Sequence, residues 1–394
     1  MITGKMKTLI KLFLILLFSF NINANEKGNK NQYKFSILSI GEGSSLADAF
    51  GHTGIRIRDT ITNDDIVFNF GIYDFNSPNF YSNFVKGRPQ YKLGVQKYKN
   101  FSKNYKKENR YIIEHVINLN ENSSKKIIEL LVENLKNPNY TYDYLRDNCA
   151  TRVADILIDK SSNNLKTESL NEQGADTYRN LIHSKINENS WGALGIDICL
   201  GAVIDKKITL RETLFLPENL MNYLTQIQKE NPQLISQQII FKPKELKKLP
   251  VTKIFISPLF INILLSIIII FFTLLSFKRG YWIKSIDFII YSVTGIIGLL
   301  IIYLWFFSNH FASAQNFNFL WAFPFNLLMI YALLRKNIPN WANNFVKLNI
   351  IMLLLLFIHW LTGVQKYNIT LLPIFVTLLF RYFYLVFQIN KKLR

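Results

Sequence analysis

Residues 142–157 read YDYLRDNCATRVADIL, and this stretch decides the fold of the first part of the chain. Asp147 and Asn148 carry side-chain oxygens that cap a helix N-terminus. Apolar residues follow at the spacing of one helix face: Ala150, Val153, Ala154, Ile156 and Leu157. The stretch therefore predicts a helix whose first turn contains Cys149. Free backbone N–H groups at a helix start favour a thiolate and can donate hydrogen bonds to an oxyanion.

A hairpin upstream supplies the partners that a thiol nucleophile needs. Residues 53–58 (TGIRIR) alternate with the period of a strand, a turn-like DTITND follows, and residues 66–71 (IVFNFG) predict the returning strand. His52 lies at the mouth of the first strand as a candidate base, and Asn69 on the second strand as the group that orients the ring. Cysteine, histidine and a polar orienting group form the constellation of papain-like enzymes, here with histidine before cysteine.

A structural interpretation of Cys149 stays open beside the catalytic one. The chain has two cysteines, so Cys149 is either a nucleophile, a buried structural thiol, or one half of a disulfide with Cys199 in an oxidising compartment. Cys199 itself lies in the apolar segment LGIDICLGAVI, which favours packing. His115 and His183 are predicted to be surface histidines. No HExxH, CxxC, P-loop or dinucleotide motif occurs, so we expect no metal and no cofactor.

The remaining elements of this part follow from local patterns. Residues 35–40 and 110–119 predict strands, and residues 122–136 predict a helix capped by Asn122, Ser123 or Ser124. Residues 160–190 are polar and predict loop with short helices. The Gln/Lys/Pro-rich stretch before the apolar part predicts a linker.

Charge divides the chain into two parts. Of the 27 acidic residues only Asp287 lies after residue 250, where 12 basic residues remain. The net charge of +19 therefore splits into +8 (34 basic minus 26 acidic residues) and +11 (12 minus 1). A uniformly basic nucleic-acid binder would not divide in this way, so we expect no nucleic-acid partner. The division indicates a soluble module followed by a membrane domain and excludes a simple cytosolic enzyme.

Hydropathy predicts an exported module and five membrane spans. Residues 1–24 read as a signal or signal-anchor segment, 25–224 as the exported domain, 225–253 as the linker and 254–394 as the membrane domain. Five apolar runs fall near 254–277, 286–307, 319–334, 348–362 and 369–387. Basic residues cluster in the loops that this scheme places in the cytoplasm, together with the C-terminus.

Three ionisable residues of the membrane half are candidate functional residues, and two of them, His310 and Arg381, are candidates for lipid contact. His310 lies in an outward loop, on the same side as the exported module, where it is either a head-group contact or a packed or solvated loop residue. Arg381 lies inside the fifth run, where it either snorkels to the cytoplasmic face or lines a lipid or substrate groove. His359, near the outer end of the fourth run, is a weaker candidate.

At these motifs the chain resembles a known family. FGHTGIRI, IVFNFGIYDFNSPNFY, KGRPQYKLGV, YDYLRDNCATRVADIL and WGALGIDICLGAVID are similar to the Lnb N-terminal periplasmic domain family. SNHFASAQNFNFLWAFPFNLL at 308–328 resembles the transmembrane domain that accompanies it. The resemblance covers about 35–220 and 254–387, and its specific parts are the HT and DNCATR blocks.

The resemblance implies a lipoprotein N-acyltransferase in the inner membrane, with its catalytic domain in the periplasm. An acyl chain would pass from a phospholipid donor to the α-amino group of a diacylglyceryl-cysteine lipoprotein, the acceptor. The implied fold is an α+β permuted papain-like thiol domain followed by an all-α five-span membrane domain. Cys149 carries over as nucleophile and His52 as base, with Asn69 as the third member.

Three other functions use the same residues. A papain-like cell-wall amidase or peptidase would use the same dyad but would not need five spans. A phospholipase would release fatty acid without an amine acceptor. In a non-enzymatic protein, the exported domain would be a binding module on a membrane scaffold, and Cys149→Ser would keep function.

Overall fold

The computed structural model of this chain describes residues 32–160, 165–243 and 253–393. The signal segment predicted at 1–24 and residues 244–252 of the predicted linker lie outside the described residues. The described chain forms an N-terminal α+β domain and a C-terminal helical domain.

A seven-stranded antiparallel sheet is the frame of the α+β domain. Its spatial order is β6-β4-β3-β2-β1-β5-β9. The predicted hairpin is confirmed, since Ile55 of β2 pairs with Phe68 of β3. The strands are β1 (Tyr33–Ile40), β2 (His52–Asp59), β3 (Asp65–Ile72), β4 (Gln90–Lys97), β5 (Ile112–Ile117), β6 (Asn139–Thr141) and β9 (Ile235–Phe241). Strands β7 (Gln173–Thr177) and β8 (Lys207–Thr209) form a separate two-stranded sheet.

Eight α-helices complete this domain in its described part. They are α1 (Phe80–Val85), α2 (Tyr98–Lys107), α3 (Glu121–Lys136), α4 (Cys149–Ala154), α5 (Tyr178–His183), α6 (Trp191–Cys199), α7 (Leu210–Thr213) and α8 (Pro217–Glu230). Helix α2 lays Phe101 on one face of the sheet, against Leu38, Val67 and Ile112. Helix α4 packs on β2 and β3, and α8 packs on β1, β5 and β9. Elements pack on both faces of β1, so its last six residues are all buried.

Two local predictions need correction. Residues 225–243 are not linker, because α8 continues to Glu230 and β9 forms an edge of the main sheet against β5. An edge strand buries only one face, so its Gln-rich sequence lacks a strong strand pattern. Helix α3 is capped by Asn120, whose side chain accepts from the Ser123 N–H, rather than by Asn122, Ser123 or Ser124.

Four helices of the C-terminal domain are long and apolar enough to cross a membrane, among the residues described. They are α9 (Pro258–Arg279), α10 (Lys284–Phe306), α12 (Trp341–Leu361) and α13 (Leu372–Leu393). The third predicted span is not one continuous helix. Its residues form a 3₁₀ turn at Phe317–Leu320 and then helix α11 (Asn326–Leu334).

Glycines on α10 let this broken segment pack closely. A Cβ on Gly298 would lie 2.3 Å from the Ala322 carbonyl oxygen, and one on Gly295 would lie 2.7 Å from the Leu327 side chain. Non-helical backbone is tolerated at membrane depth where protein covers it. Hydropathy alone could not show the break, because it measures apolarity and not backbone hydrogen bonding.

Buried polar contacts join the two domains. Arg179 donates to Asp197 at 2.8 Å, and both side chains are almost wholly buried in the α+β domain. Asn368 of the helical domain donates to the same Asp197 carboxylate at 2.8 Å, and Asn318 donates to its backbone carbonyl at 2.9 Å. This cluster fixes the α+β domain against one end of the helical domain.

The prediction that His115 and His183 are surface residues is wrong. His115 is fully buried, and its Nε2 contacts the Thr225 hydroxyl at 3.0 Å. His183 lies beside Asp197, with its Nε2 at 2.9 Å from the carboxylate. The prediction relied on the polar residues next to each histidine in the sequence. Burial depends instead on packing between segments that are distant in the sequence.

Candidate active site

Helix α4 begins where its sequence predicts, and Cys149 is its first residue. The Asn148 side chain accepts from the Ala150 and Thr151 N–H groups, and the Thr151 hydroxyl accepts from the Asn148 N–H. The Asn148 amide also donates to the carbonyls of Tyr144 and Phe215. This capping box is buried and leaves Cys149 little freedom to move.

His52 and Asn69 are brought together by the hairpin. His52 opens β2, and its Nε2 lies 2.6 Å from Asn69 Oδ1, so Nε2–H donates and Nδ1 is the ring nitrogen left to act as base. The imidazole also lies against the ring of Tyr105, with centroids 6.1 Å apart. The hydrogen bond to Asn69 and this stacking fix the orientation of the imidazole.

The thiol lies beside the start of β2. The backbone amides of Thr53, Ala150 and Cys149 interact with the sulfur and lower its pKa. Thr53 follows His52 directly, so helix α4 and the His52 strand meet at the sulfur. Gly71, at the end of β3, completes this wall, because a Cβ there would lie 3.9 Å from Cys149 Cβ. The structure thus brings Cys149, His52 and Asn69 into one site.

Burial sets the protonation of this site. It raises the pKa of Cys149 to about 11, and the neighbouring amides only partly offset the rise. Burial also lowers the pKa of His52 to about 4. The hydrogen bond to Asn69 acts in the opposite direction and offsets only part of this change. The resting site is therefore a neutral thiol beside a neutral imidazole. The expectation of a thiolate favoured by the helix start is corrected, since desolvation outweighs the helix-end amides.

Arg110 belongs to this site and was missed from the sequence. It is 3% exposed, and its Nε donates to the Gly41 carbonyl at 2.7 Å. Its charge lowers the pKa of both Cys149 and His52. Its Nη2 is buried and has no hydrogen-bond partner in the described part of the chain. No motif marks Arg110, because its position depends on the pairing of β5 with β1.

The pKa directions predict an unusual pH profile. His52 accepts a proton only when neutral, which holds above pH 4, and Cys149 keeps its proton up to about pH 11. We therefore expect the second-order rate of Cys149 acylation to be flat between about pH 6 and pH 9. The measurement is the initial rate of adduct formation across that range. A rate that rises tenfold per pH unit would mean that a free thiolate attacks without His52.

The other candidate residues lie outside this site. His310 is on the outer side of the helical domain, where its Nε2 contacts the Phe84 carbonyl of the α+β domain at 2.7 Å. His359 lies against the Phe317 ring, with centroids 4.6 Å apart. Both cysteines are free, so Cys149 and Cys199 form no disulfide. Among the described residues, no group of three His, Cys, Asp or Glu side chains is placed to hold a metal.

The prediction that Arg381 snorkels or lines a lipid groove is wrong. Its side chain is fully buried, and its Nε and Nη2 donate to the Asp287 carboxylate at 2.7 and 2.8 Å. Its Nη1 donates to the Thr273 hydroxyl at 2.7 Å. Arg381 therefore joins α13 to α10 and α9. Asp287, the single acidic residue after residue 250, and Arg381, the arginine inside a membrane helix, thus neutralise each other in a buried ion pair.

Comparisons with known proteins agree with this architecture. The model of the Lnb N-terminal periplasmic domain matches residues 23–184, and that of the Lnb transmembrane domain matches residues 250–393. The comparisons with curated proteins and with solved structures found no match. The two domains define a multi-pass membrane protein with a periplasmic N-terminal domain. The chain belongs to the Lnb family, and membership implies a lipoprotein N-acyltransferase-like function in a membrane-bound, lipoprotein-modifying enzyme.

Proposed function

We propose that this protein is a cysteine-dependent lipoprotein N-acyltransferase of the inner membrane. It moves an acyl chain from a phospholipid to the α-amino group of a diacylglyceryl-cysteine lipoprotein through a thioester on Cys149. The observation that supports this most directly is the buried Cys149 at the start of α4, whose sulfur interacts with the Thr53 amide, directly after a His52 whose Nε2 is held by Asn69. The substrates themselves are those that family membership suggests.

We also propose that the α+β domain is a permuted papain-like thiol fold. Three features support this assignment: a cysteine at a helix start, a histidine and an asparagine on adjacent strands, and an antiparallel sheet against which the helix packs. These are the groups of a cysteine acyl-transfer site, in the chain order His, Asn, Cys.

In the first half-reaction, the Cys149 Sγ–H gives its proton to His52 Nδ1 as the sulfur attacks the ester carbonyl of the phospholipid. The amides around the sulfur, those of Thr53 and Ala150 among them, stabilise the oxyanion. The C–O bond then breaks, and the protonated His52 gives its proton to the departing lysophospholipid oxygen. The products are the Cys149 thioester and a neutral imidazole.

In the second half-reaction, the α-amino group of the lipoprotein attacks the thioester carbonyl. His52 takes a proton from this nitrogen, the C–S bond breaks, and the thiolate regains the proton from His52. An amide and a free thiol result. Burial of Cys149, which is 6% exposed, disfavours water as a competing acceptor and so favours a transferase over a phospholipase.

Lipoprotein analysis tests this function directly. We expect lipoproteins from cells that contain the active protein to carry three acyl chains on the N-terminal lipopeptide, and lipoproteins from cells with Cys149→Ala to carry two. Intact mass analysis of that peptide measures the difference, one acyl chain. Cleaved cell-wall peptide with unchanged lipopeptides would instead support the amidase or peptidase alternative.

We further propose that the broken third segment is a fifth crossing. On the outer side, Asn316 donates to the Ile198 carbonyl of the α+β domain at 2.8 Å. At the other end, Lys284 donates to the Leu333 carbonyl at 2.9 Å, beside the basic residues Arg335 and Lys336. These contacts support the proposal that the two ends of the segment lie on opposite sides of the domain.

Five crossings predict a cytoplasmic C-terminus. A reporter that works only in the cytoplasm should be active when it is fused after Arg394. External protease should digest the α+β domain in spheroplasts. A periplasmic reporter signal would reduce the count to an even number and contradict the proposal.

A further inference from the structure

A row of aromatic side chains leads from the thiol toward the helical domain. We call Tyr142, Tyr91, Tyr144 and Phe84 the aromatic row. Tyr142 lies beside Gly71 and interacts electrostatically with Cys149. Along the row, ring centroids are 5.1 Å apart for Tyr142 and Tyr144 and 6.3 Å for Tyr144 and Phe84, and Tyr91 also packs on Tyr142 with centroids 4.2 Å apart. The row gives an aromatic wall that starts beside the sulfur of Cys149.

The far end of the row opens on an exposed apolar patch. Helix α1 and the loop before it leave large apolar side chains in contact with solvent: Tyr73, Phe75, Tyr81, Phe84 and Val85. Tyr81 is 70% exposed. Lys86 and Arg88 follow directly and are also exposed. Aromatic residues flanked by basic ones are typical of segments that lie in the head-group region of a bilayer.

The patch is continuous with the outer end of the membrane helices. The Asn309 N–H donates to the Lys86 carbonyl at 2.9 Å, and His310 Nε2–H donates to the Phe84 carbonyl. Gly87 permits this close approach, because a Cβ at this position would lie 2.6 Å from the backbone nitrogen of His310. Helix α10 ends at Phe306, just before Asn309 in the chain, and both Phe306 and Phe307 are exposed. The patch therefore sits where α10 leaves the membrane.

We infer that residues 73–88 form a membrane-docking surface whose occupant is the outer leaflet of the phospholipid bilayer. The aromatic row then guides the ester of a docked phospholipid from that leaflet to Cys149. This inference rests on the proposed function for the identity of the reaction, but the docking itself does not. A lipid is favoured over a protein partner because the patch joins the apolar end of a membrane helix and carries cations that match phosphate.

Cross-linking tests the docking without any need for activity. The full chain is placed in nanodiscs of phosphatidylethanolamine and phosphatidylglycerol, with benzoylphenylalanine at position 81 or at position 61. Ile61 is a matched control, being 72% exposed in the turn between β2 and β3, at the opposite ends of the strands from residues 73–79. We expect a phospholipid mass adduct at position 81 only. No adduct at position 81, or equal adducts at both positions, would overturn the inference.

A comparison of two acyl donors tests the path to the thiol. Tyr81→Ser should raise by at least about tenfold the phospholipid concentration needed for half-maximal acylation of Cys149, while acylation by a water-soluble p-nitrophenyl ester stays within about twofold. Ile61→Ser should change neither. Equal loss with both donors would show that Tyr81 supports the fold of the site, and would overturn the inference. If the wild-type protein reacts with neither donor, the proposed function fails and the cross-linking result still decides the docking.

Discussion

Cys149→Ala is expected to abolish acyl transfer, because the sulfur is the atom that forms the intermediate. Wild-type protein incubated with phospholipid and no amine acceptor should gain the mass of one acyl chain on the peptide that contains Cys149. Neutral hydroxylamine should remove this adduct, since it cleaves a thioester far faster than an amide. A diacylated lipoprotein peptide with a free amino terminus should also discharge it, whereas an N-acetylated peptide should not.

Cys199→Ala is the matched control for this experiment. Cys199 is also a free cysteine, but it ends helix α6 instead of starting a helix. This variant should keep the adduct and most of the activity. Absence of any adduct while N-acylation proceeds would mean direct transfer and would contradict the thioester mechanism.

His52→Ala is expected to have the second largest effect. Removal of a positioned acid–base group slows a reaction by roughly 10²–10⁴-fold, and the loss should be at the upper end here because burial holds Cys149 protonated. Asn69→Ala should cost less, on the order of 10–100-fold, since it only orients the ring. The rate of adduct formation measures both variants.

His115→Gln provides the control for a second buried histidine. His115 contacts the Thr225 hydroxyl on α8, and glutamine can keep a hydrogen bond there, so the acylation rate should stay close to that of the wild type. If His52→Ala and His115→Gln reduce the rate equally, His52 acts through stability rather than as a base. The pH profile separates these cases further, because loss of the base should make the rate depend on thiolate concentration.

The neutral resting state of the site has a consequence for its chemistry. A thiol with a pKa near 11 reacts slowly with small electrophiles in water, and it becomes a nucleophile only when His52 removes its proton during attack. Arg110 lowers the pKa of both groups, and its Nη2 is still unpaired among the described residues. The site thus combines low reactivity at rest with positive charge near the developing anion.

Local sequence patterns determined the elements that depend on near neighbours. The capping residues before Cys149 predict the start of α4, and alternation predicts the β2–β3 hairpin; both are confirmed. Apolar runs likewise identify four of the spans. These features could be predicted because helix capping, strand alternation and hydropathy involve residues that lie within a few positions of one another.

Tertiary structure alone decided the features that depend on residues far apart in the chain. Arg110 reaches the site only because β5 pairs with β1, and Arg381 is buried only because Asp287, 94 residues earlier, lies opposite it. The break in the third span depends on the close approach of α10 at Gly295 and Gly298. The protonation of Cys149 and His52 belongs to the same group, because desolvation sums over every segment that excludes water and has no signature in the sequence around either residue.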